Sequence, residues 1–224
     1  MQKAIIFDFD GTIIDTETAW YITFRDAYKK HGIHLTLEQY SQCLGTSLHS
    51  FNPYTYLKTH HNLPIDLEEF KQSVQQQHTE KMIKEGIRPG ILKLLESAKA
   101  LGLKIGLASS SERVWIDKFV KLHGIENYFE CYCTADTVQN VKPDPELYFQ
   151  ALEKLGVEAS EAIAIEDSPN GARAAVAAGI PTVVIKNEIT KQLPFGDGHY
   201  TIDSLDEHEL DTLAELVQQK VHSN

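Results

Sequence analysis

Short apolar runs alternate along the chain with stretches of helical periodicity. Ala4–Phe7, 104–108, 132–134, 162–165 and Thr182–Ile185 are each brief and rich in Ile, Val, Ala or Leu, as strands buried on both faces are. Residues 90–101, 111–123, 144–155 and 170–178 repeat apolar positions at helical spacing. Gly102, Gly124, Gly156 and Gly179 stand where those helices would end. This alternation predicts an α/β fold built on a doubly wound parallel sheet. A last amphipathic stretch, about 206–221, reads as a helix covering that core.

One segment breaks the order. Residues from about 16 to 87 contain no good strand, only helical patterns over 16–31, 37–44, 53–61 and 67–84. Asn52 before Pro53 reads as an N-cap with proline at the first helical position. Arg88-Pro89-Gly90 then restarts the α/β pattern. The expected organisation is an α/β core of residues 1–15 and 88–224, with an all-helical domain, 16–87, inserted after the first strand. Its two connections, near Asp15 and near 86–89, lie close together, a paired hinge that suits a lid. There is no internal repeat and no low-complexity segment.

In a doubly wound sheet, ligands bind beyond the carboxyl ends of the strands. The polar residues at those ends are Asp8-Phe9-Asp10-Gly11-Thr12, Ser109-Ser110-Ser111, the stretch Val141-Lys142-Pro143-Asp144-Pro145, and Glu166-Asp167-Ser168-Pro169-Asn170-Gly171. Singly, each has a plain structural explanation: an N-cap, a loop, a turn. Together they supply acids, hydroxyls and a lysine to one edge. Carboxylates crowded beside a buried strand are costly to ionise together, unless a metal or a two-acid reaction accounts for them. Phosphoryl transfer fits this set, since it demands neutralised phosphoryl oxygens, a nucleophile in line and an acid for the leaving oxygen. Acids alone would repel phosphate, so a hard cation is implied. Magnesium takes oxygen ligands and commonly binds through one or two carboxylates, and Asp8 and Asp167 suit it. The serines and the loop amides after Phe9 can hold phosphoryl oxygens, with Lys142 offsetting charge.

F-D-F-D-G-T, L-A-S-S-S, V-K-P-D-P and I-E-D-S-P-N-G, in that order, resemble the four ordered motifs of the haloacid dehalogenase superfamily. The D-T-E hinge and the helical insertion resemble its β-phosphoglucomutase-like phosphatase branch. The resemblance covers essentially the whole chain. It implies a Rossmann-like core with a helical cap, and a magnesium-dependent hydrolase of phosphate monoesters acting through an aspartyl phosphate. By the same resemblance, Asp8 is the nucleophile and Asp10 the general acid and then base. Magnesium takes the Asp8 carboxylate, the Asp10 carbonyl and the Asp167 carboxylate, with Glu166 in its outer coordination shell. Ser109 holds a phosphoryl oxygen and Lys142 steadies Asp8. Gly11, Thr12 and Ser110 belong to the phosphate site, Gly11 permitting the turn that brings backbone to phosphate. Asp15 and Glu17 belong to the hinge, and Trp20 is a candidate substrate contact.

Composition narrows the partners. The net charge of −11 over 224 residues argues against nucleic acid. Residues 16–87 carry 7 Lys/Arg and 8 Asp/Glu, so an anionic substrate meets least repulsion there. No apolar run reaches the ~20 residues of a membrane span, and the N-terminus lacks a secretory pattern. Cys43, Cys131 and Cys133 read as packing thiols of a reducing cytoplasm. The expected protein is a cytoplasmic monomer that takes a small phosphorylated metabolite, with neither membrane nor nucleic acid as partner. His31, His34, His49, His60, His61 and His78 read as solvent-exposed. Trp20, Tyr54 and Tyr56 read by default as helix-packing aromatics.

Four other functions compete. A true dehalogenase of the family needs no acid two residues after the nucleophile, so Asp10 favours phosphate esters. A phospho-aspartate receiver would carry its aspartate on a later strand, without a helical insertion, and a phosphate-binding module needs no second acid. The sugar-phosphate mutases of the branch share the core motifs and differ in the cap. They place a histidine just after the hinge acids, where this chain has Trp20. They place basic residues where it has Gly45-Thr46-Ser47-Leu48 and Val74-Gln75-Gln76-Gln77. These differences favour hydrolysis, with His49 and Lys81 the nearest replacements for what is lost.

Overall fold

The computed structural model describes residues 2–43, 51–206, 213 and 215. Strand β1 (Ala4–Phe7) is followed by helices α1 (Thr16–Lys29), α2 (Leu37–Ser41), α3 (Tyr56–Thr59) and α4 (Leu67–Met82). Then come α5 (Ile91–Ala100), β2 (Lys104–Ala108), α6 (Arg113–Leu122), β3 (Cys131–Cys133) and α7 (Glu146–Leu155). The described chain closes with β4 (Ala162–Glu166), α8 (Pro169–Ala177), β5 (Thr182–Ile185) and β6 (His199–Ile202).

The six strands form one sheet in the order β3-β2-β1-β4-β5-β6, every pairing parallel. β1 is central. Its last residue, Phe7, lies in register with Leu107 of β2 and Ile165 of β4. The chain winds outward from β1 in one direction through β2 and β3, then in the other through β4, β5 and β6. The reversal point lies beside β1, where such sheets open a crevice beyond the strand ends. The register therefore brings Asp8, Ser109 and Asp167 to one edge.

Strand β6 (H-Y-T-I) is absent from the sequence-derived set. It is a half-exposed edge strand with a single buried residue, Ile202, so it lacks the continuous apolar run that marks its neighbours. β3 begins one residue earlier than the pattern implies, and several helices end one or two residues sooner. Asn52 is not an N-cap. Its side-chain oxygen accepts from the Tyr54 amide at 3.0 Å, closing a turn, and α3 begins only after Thr55. Most of the segment 206–221 lies outside the described residues, as do 45–48 and His49.

The chain divides into two units, one of 1–15, 86–187 and 194–224, the other of 16–85 and 188–193. The second is held by an aromatic-rich cluster that includes Phe24, Tyr28, Tyr40, Leu57 and Phe70. Ile189, from the short return 188–193, is buried in that cluster. No pattern in the sequence separates this return from the α/β part around it, because six residues after a strand read as an ordinary loop. His31, His34, His60 and His61 are exposed. His78 is not, contrary to the sequence expectation: it is 1% exposed and lies flat on Trp20, ring centroids 3.5 Å apart and 8° from parallel. Trp20 also stacks on Phe24 at 5.8 Å, which is the packing role expected by default. All three cysteines are free thiols.

Ile189→Ala should remove a buried anchor of the helical unit, at a cost of about 2–5 kcal/mol. Amide hydrogen exchange in 16–85 should accelerate while β1 and β4 keep their protection. Uniform acceleration across both units would contradict this local role.

Candidate active site

Asp8 follows β1 and is 5% exposed. Its amide is fixed to the Ile165 carbonyl at 2.9 Å, which carries the pairing of β1 with β4 one residue beyond the strand. Its Oδ1 accepts from Lys142 Nζ at 2.5 Å. Its Oδ2 is buried without a hydrogen-bond partner, an expensive state for a carboxylate oxygen.

Lys142 arrives from the loop before α7 and places its ammonium between three strand ends. It donates to Asp8, to Glu166 Oε1 at 2.7 Å and to the Ala108 carbonyl at 2.7 Å, using all three of its donors. Burial alone would lower its pKa, but the charges of Asp8 and Glu166 outweigh that and hold it above the ordinary lysine value. Glu166, fully buried at the end of β4, also accepts from the Tyr148 hydroxyl at 2.5 Å. Burial pushes its carboxyl upward, the Lys142 charge opposing and the Asp8 charge adding. The Tyr148 hydroxyl is pushed up as well, by burial and then by the neighbouring Glu166 charge.

Asp167 accepts at Oδ2 from Asn187 Nδ2 at 2.7 Å, and the Thr12 hydroxyl lies 3.5 Å from its Oδ1. Two glycines make room for these acids. Gly11 has φ +86°, and a Cβ on it would fall 2.1 Å from Asp167 Oδ2; a Cβ on Gly171 would fall 2.0 Å from the Glu166 carboxylate. The turn after Phe9 is tied by Gly11 N to Ile14 O at 2.7 Å. Arg88 clamps it from outside, donating to the Gly11 carbonyl and, at 3.2 Å each, to the carbonyls of Ile185 and Lys186.

Asp10 is turned toward the β2 end. Its Oδ1 accepts from Trp115 Nε1 at 2.9 Å, and its Oδ2 from Ser111 Oγ at 2.7 Å and Ser109 Oγ at 3.3 Å. Loss of hydration raises its carboxyl and the Asp8 charge adds to this; the donors from Ser111, Trp115 and Ser109 pull the other way without cancelling it. Ser109 is buried and Ser110 is exposed. The structure thus gathers Asp8, Asp10, Gly11, Thr12, Ser109, Lys142, Glu166 and Asp167 at one sheet edge. Trp20 belongs to the other unit. Sequence reasoning passes over Trp115, Tyr148, Asn187 and Arg88 as partners of these groups. Tyr148 and Trp115 lie among the apolar positions of their helices and look like core residues. Arg88 had one signal, its place where the chain re-enters the α/β unit.

The match to known proteins agrees with this geometry. The family model described as haloacid dehalogenase-like hydrolase matches residues 5–185. The chain belongs to that family. It is 42% identical over 210 residues to the "Putative phosphatase YhcW" of Bacillus subtilis, covering 94% of this chain and 95% of that protein. It is 31% identical to the phosphorylated carbohydrates phosphatase of Thermotoga maritima, over 81% of this chain and 84% of that one. Among solved structures, β-phosphoglucomutase from Clostridium difficile superposes with a TM-score of 0.73 at 25% identity, covering 99% and 100% of the two chains. The protein is a family phosphatase with a β-phosphoglucomutase-like fold. Among its described residues no helix is long and apolar enough to cross a membrane.

The site also fits a metal of the kind this family uses. Asp8, Glu166 and Asp167 are buried and offer oxygens all within 4.8 Å of one another. With Lys142 as the paired cation they retain two formal negative charges, and the unpartnered Asp8 Oδ2 lacks only an electrophile. An all-oxygen donor set of this charge suits a hard divalent cation.

Lys142→Met should leave two buried carboxylates unpaired and cost about 3–5 kcal/mol at neutral pH, read by urea unfolding in chelator. Lysine's folded pKa is raised, so its contribution is complete below the ordinary value of 10.5 and is lost as pH climbs through the folded value. The gap between wild type and variant should therefore narrow only at strongly alkaline pH. A gap that closes near neutrality would contradict the pairing.

Proposed function

We propose that this phosphatase is a magnesium-dependent phosphomonoesterase of small phosphorylated carbohydrates, working through an aspartyl phosphate on Asp8. The observation that carries the reading is the division of labour between two aspartates two residues apart. Asp8 is gripped by Lys142 and keeps one bare oxygen. Asp10 has its carboxyl raised by burial and sits among hydroxyl and indole donors. One environment suits an ionised nucleophile, the other a proton carrier.

A carboxylate oxygen of Asp8 attacks phosphorus in line, and the bond to the ester oxygen breaks. Asp10 delivers its proton to that oxygen, which departs as the alcohol. Asp10, now ionised and steadied by Ser111 and Trp115, takes a proton from water as the water attacks the phosphoryl group, freeing Asp8 and phosphate. Ser109 and the amides after Phe9 hold the phosphoryl oxygens, and Lys142 keeps Asp8 aimed. Magnesium held by Asp8, the Asp10 carbonyl and Asp167 would supply the positive charge that lets a phosphate approach these acids. Glu166, held at Oε1 by Lys142 and Tyr148, supports the site from behind. The helical unit, joined at Asp15/Thr16 and Glu85/Gly86 and again on either side of the return 188–193, acts as a lid, in a cytoplasmic monomer.

Carbohydrate esters are favoured by the likeness to the Thermotoga maritima phosphatase. Hydrolysis is favoured over mutase chemistry by Trp20, which occupies the place of the mutase histidine and is committed to stacking on His78. Gln76 and Gln77 bond instead to their own helix, at Glu80 and Ser73.

Asp8→Asn should abolish turnover, and Asp10→Asn should slow it by about 10²–10⁴-fold, the usual worth of a general acid–base. A wild-type rate in Asp8→Asn would require another nucleophile. With a panel of sugar phosphates, chelation should abolish phosphate release and added magnesium restore it; full activity in excess chelator removes the metal from the reading. Given β-glucose 1-phosphate and a trace of the bisphosphate, the enzyme should release inorganic phosphate. Faster formation of glucose 6-phosphate would make it a mutase.

A further inference from the structure

We infer that Trp115 is the positioning residue of Asp10: its indole N–H fixes the carboxyl so that the transferable proton is carried on Oδ2. This rests on the general acid–base role proposed above for Asp10. Trp115 lies in the first turn of α6, four residues after Ser111, and its ring meets the buried Phe119 edge-on at 4.6 Å and 63°. That contact sets the direction of the indole, whose Nε1 stands 2.9 Å from Asp10 Oδ1. A part-buried tryptophan N–H finds some partner in most proteins, most simply a backbone carbonyl. Here the partner is the second aspartate of the first motif.

The chemistry of the two carboxyl oxygens then differs. An indole N–H donates and cannot accept, so Oδ1 is held as the acceptor. Oδ2 faces the hydroxyls of Ser111 at 2.7 Å and Ser109 at 3.3 Å. A hydroxyl can turn to accept as readily as to donate, so it tolerates a proton on Oδ2. Ser109 is also the residue proposed to hold a phosphoryl oxygen. Trp115 thereby directs the proton-bearing oxygen to the phosphate side of the site. It needs no contact with substrate to do so.

The experiment compares two leaving groups by kcat/KM, which reports the step in which the ester bond breaks. Glucose 6-phosphate has an alkoxide leaving group that needs the acid, whereas p-nitrophenolate leaves p-nitrophenyl phosphate without protonation. Trp115→Phe, which keeps an aromatic ring against Phe119, should lower kcat/KM about tenfold on glucose 6-phosphate, the order of one hydrogen bond to a charged group. It should stay within about twofold of wild type on the aryl ester. Asp10→Asn should show the same preference more strongly, and the double variant should be no worse than Asp10→Asn. Replacing Trp115 by 3-benzothienylalanine, which keeps the ring shape and carries sulfur in place of N–H, answers the question should phenylalanine prevent folding. Equal losses on both esters, or none, overturn the inference if Asp10→Asn retains its leaving-group dependence. If Asp10→Asn shows no such dependence, the general-acid reading falls and the inference with it.

Discussion

The structure depends on burying three carboxylates around one ammonium. Asp8, Glu166 and Asp167 are each at most 5% exposed, and Lys142 is hydrogen-bonded to the first two. Ions removed from water are stabilised only by good geometry and full hydrogen bonding. Lys142 meets that demand with three short donors, Tyr148 and Asn187 add two more, and the bare oxygen of Asp8 remains as the unsatisfied point. Three carboxylates against one ammonium leave two formal negative charges, an all-oxygen donor set that suits a hard divalent cation.

The parallel sheet makes that arrangement possible. β1 lies between β2 and β4, so residues far apart in sequence leave the sheet at one level. Gly11 and Gly171 then let backbone pass where any side chain would strike a carboxylate. Arg88 ties the first loop to the carbonyls at the end of β5, joining the point where the chain leaves the α/β unit to the point where it has just returned. The acids are thus held by strand register, by absent side chains and by one guanidinium, all rigid supports.

The two units divide the chemistry. The α/β unit carries every group proposed for phosphoryl transfer. The helical unit is packed with aromatic rings, and its return segment 188–193 begins directly after Asn187, which holds Asp167. Trp20 and His78 are committed to each other as part of that packing.

The sequence by itself determined the sheet strands that are buried on both faces, the helical insertion pattern and the ordered polar motifs at the strand ends. These are local signals: an apolar run, a period, a spacing. Asp8, Asp10 and Asp167 could be singled out because charged residues just after buried strands conflict with their surroundings, and Lys142 by its place in the ordered polar motifs. Tertiary structure decided what has no local signature. β6 is an edge strand with one buried residue and no apolar run to mark it, and Ile189 sits in a loop that becomes core only in three dimensions. His78 reads as surface until Trp20 covers it. Trp115 and Tyr148 resemble ordinary packing residues along their helices. Only the fold shows that the indole of one turns toward Asp10 and the hydroxyl of the other toward Glu166, because a hydrogen bond across 105 or 18 residues leaves no trace in periodicity.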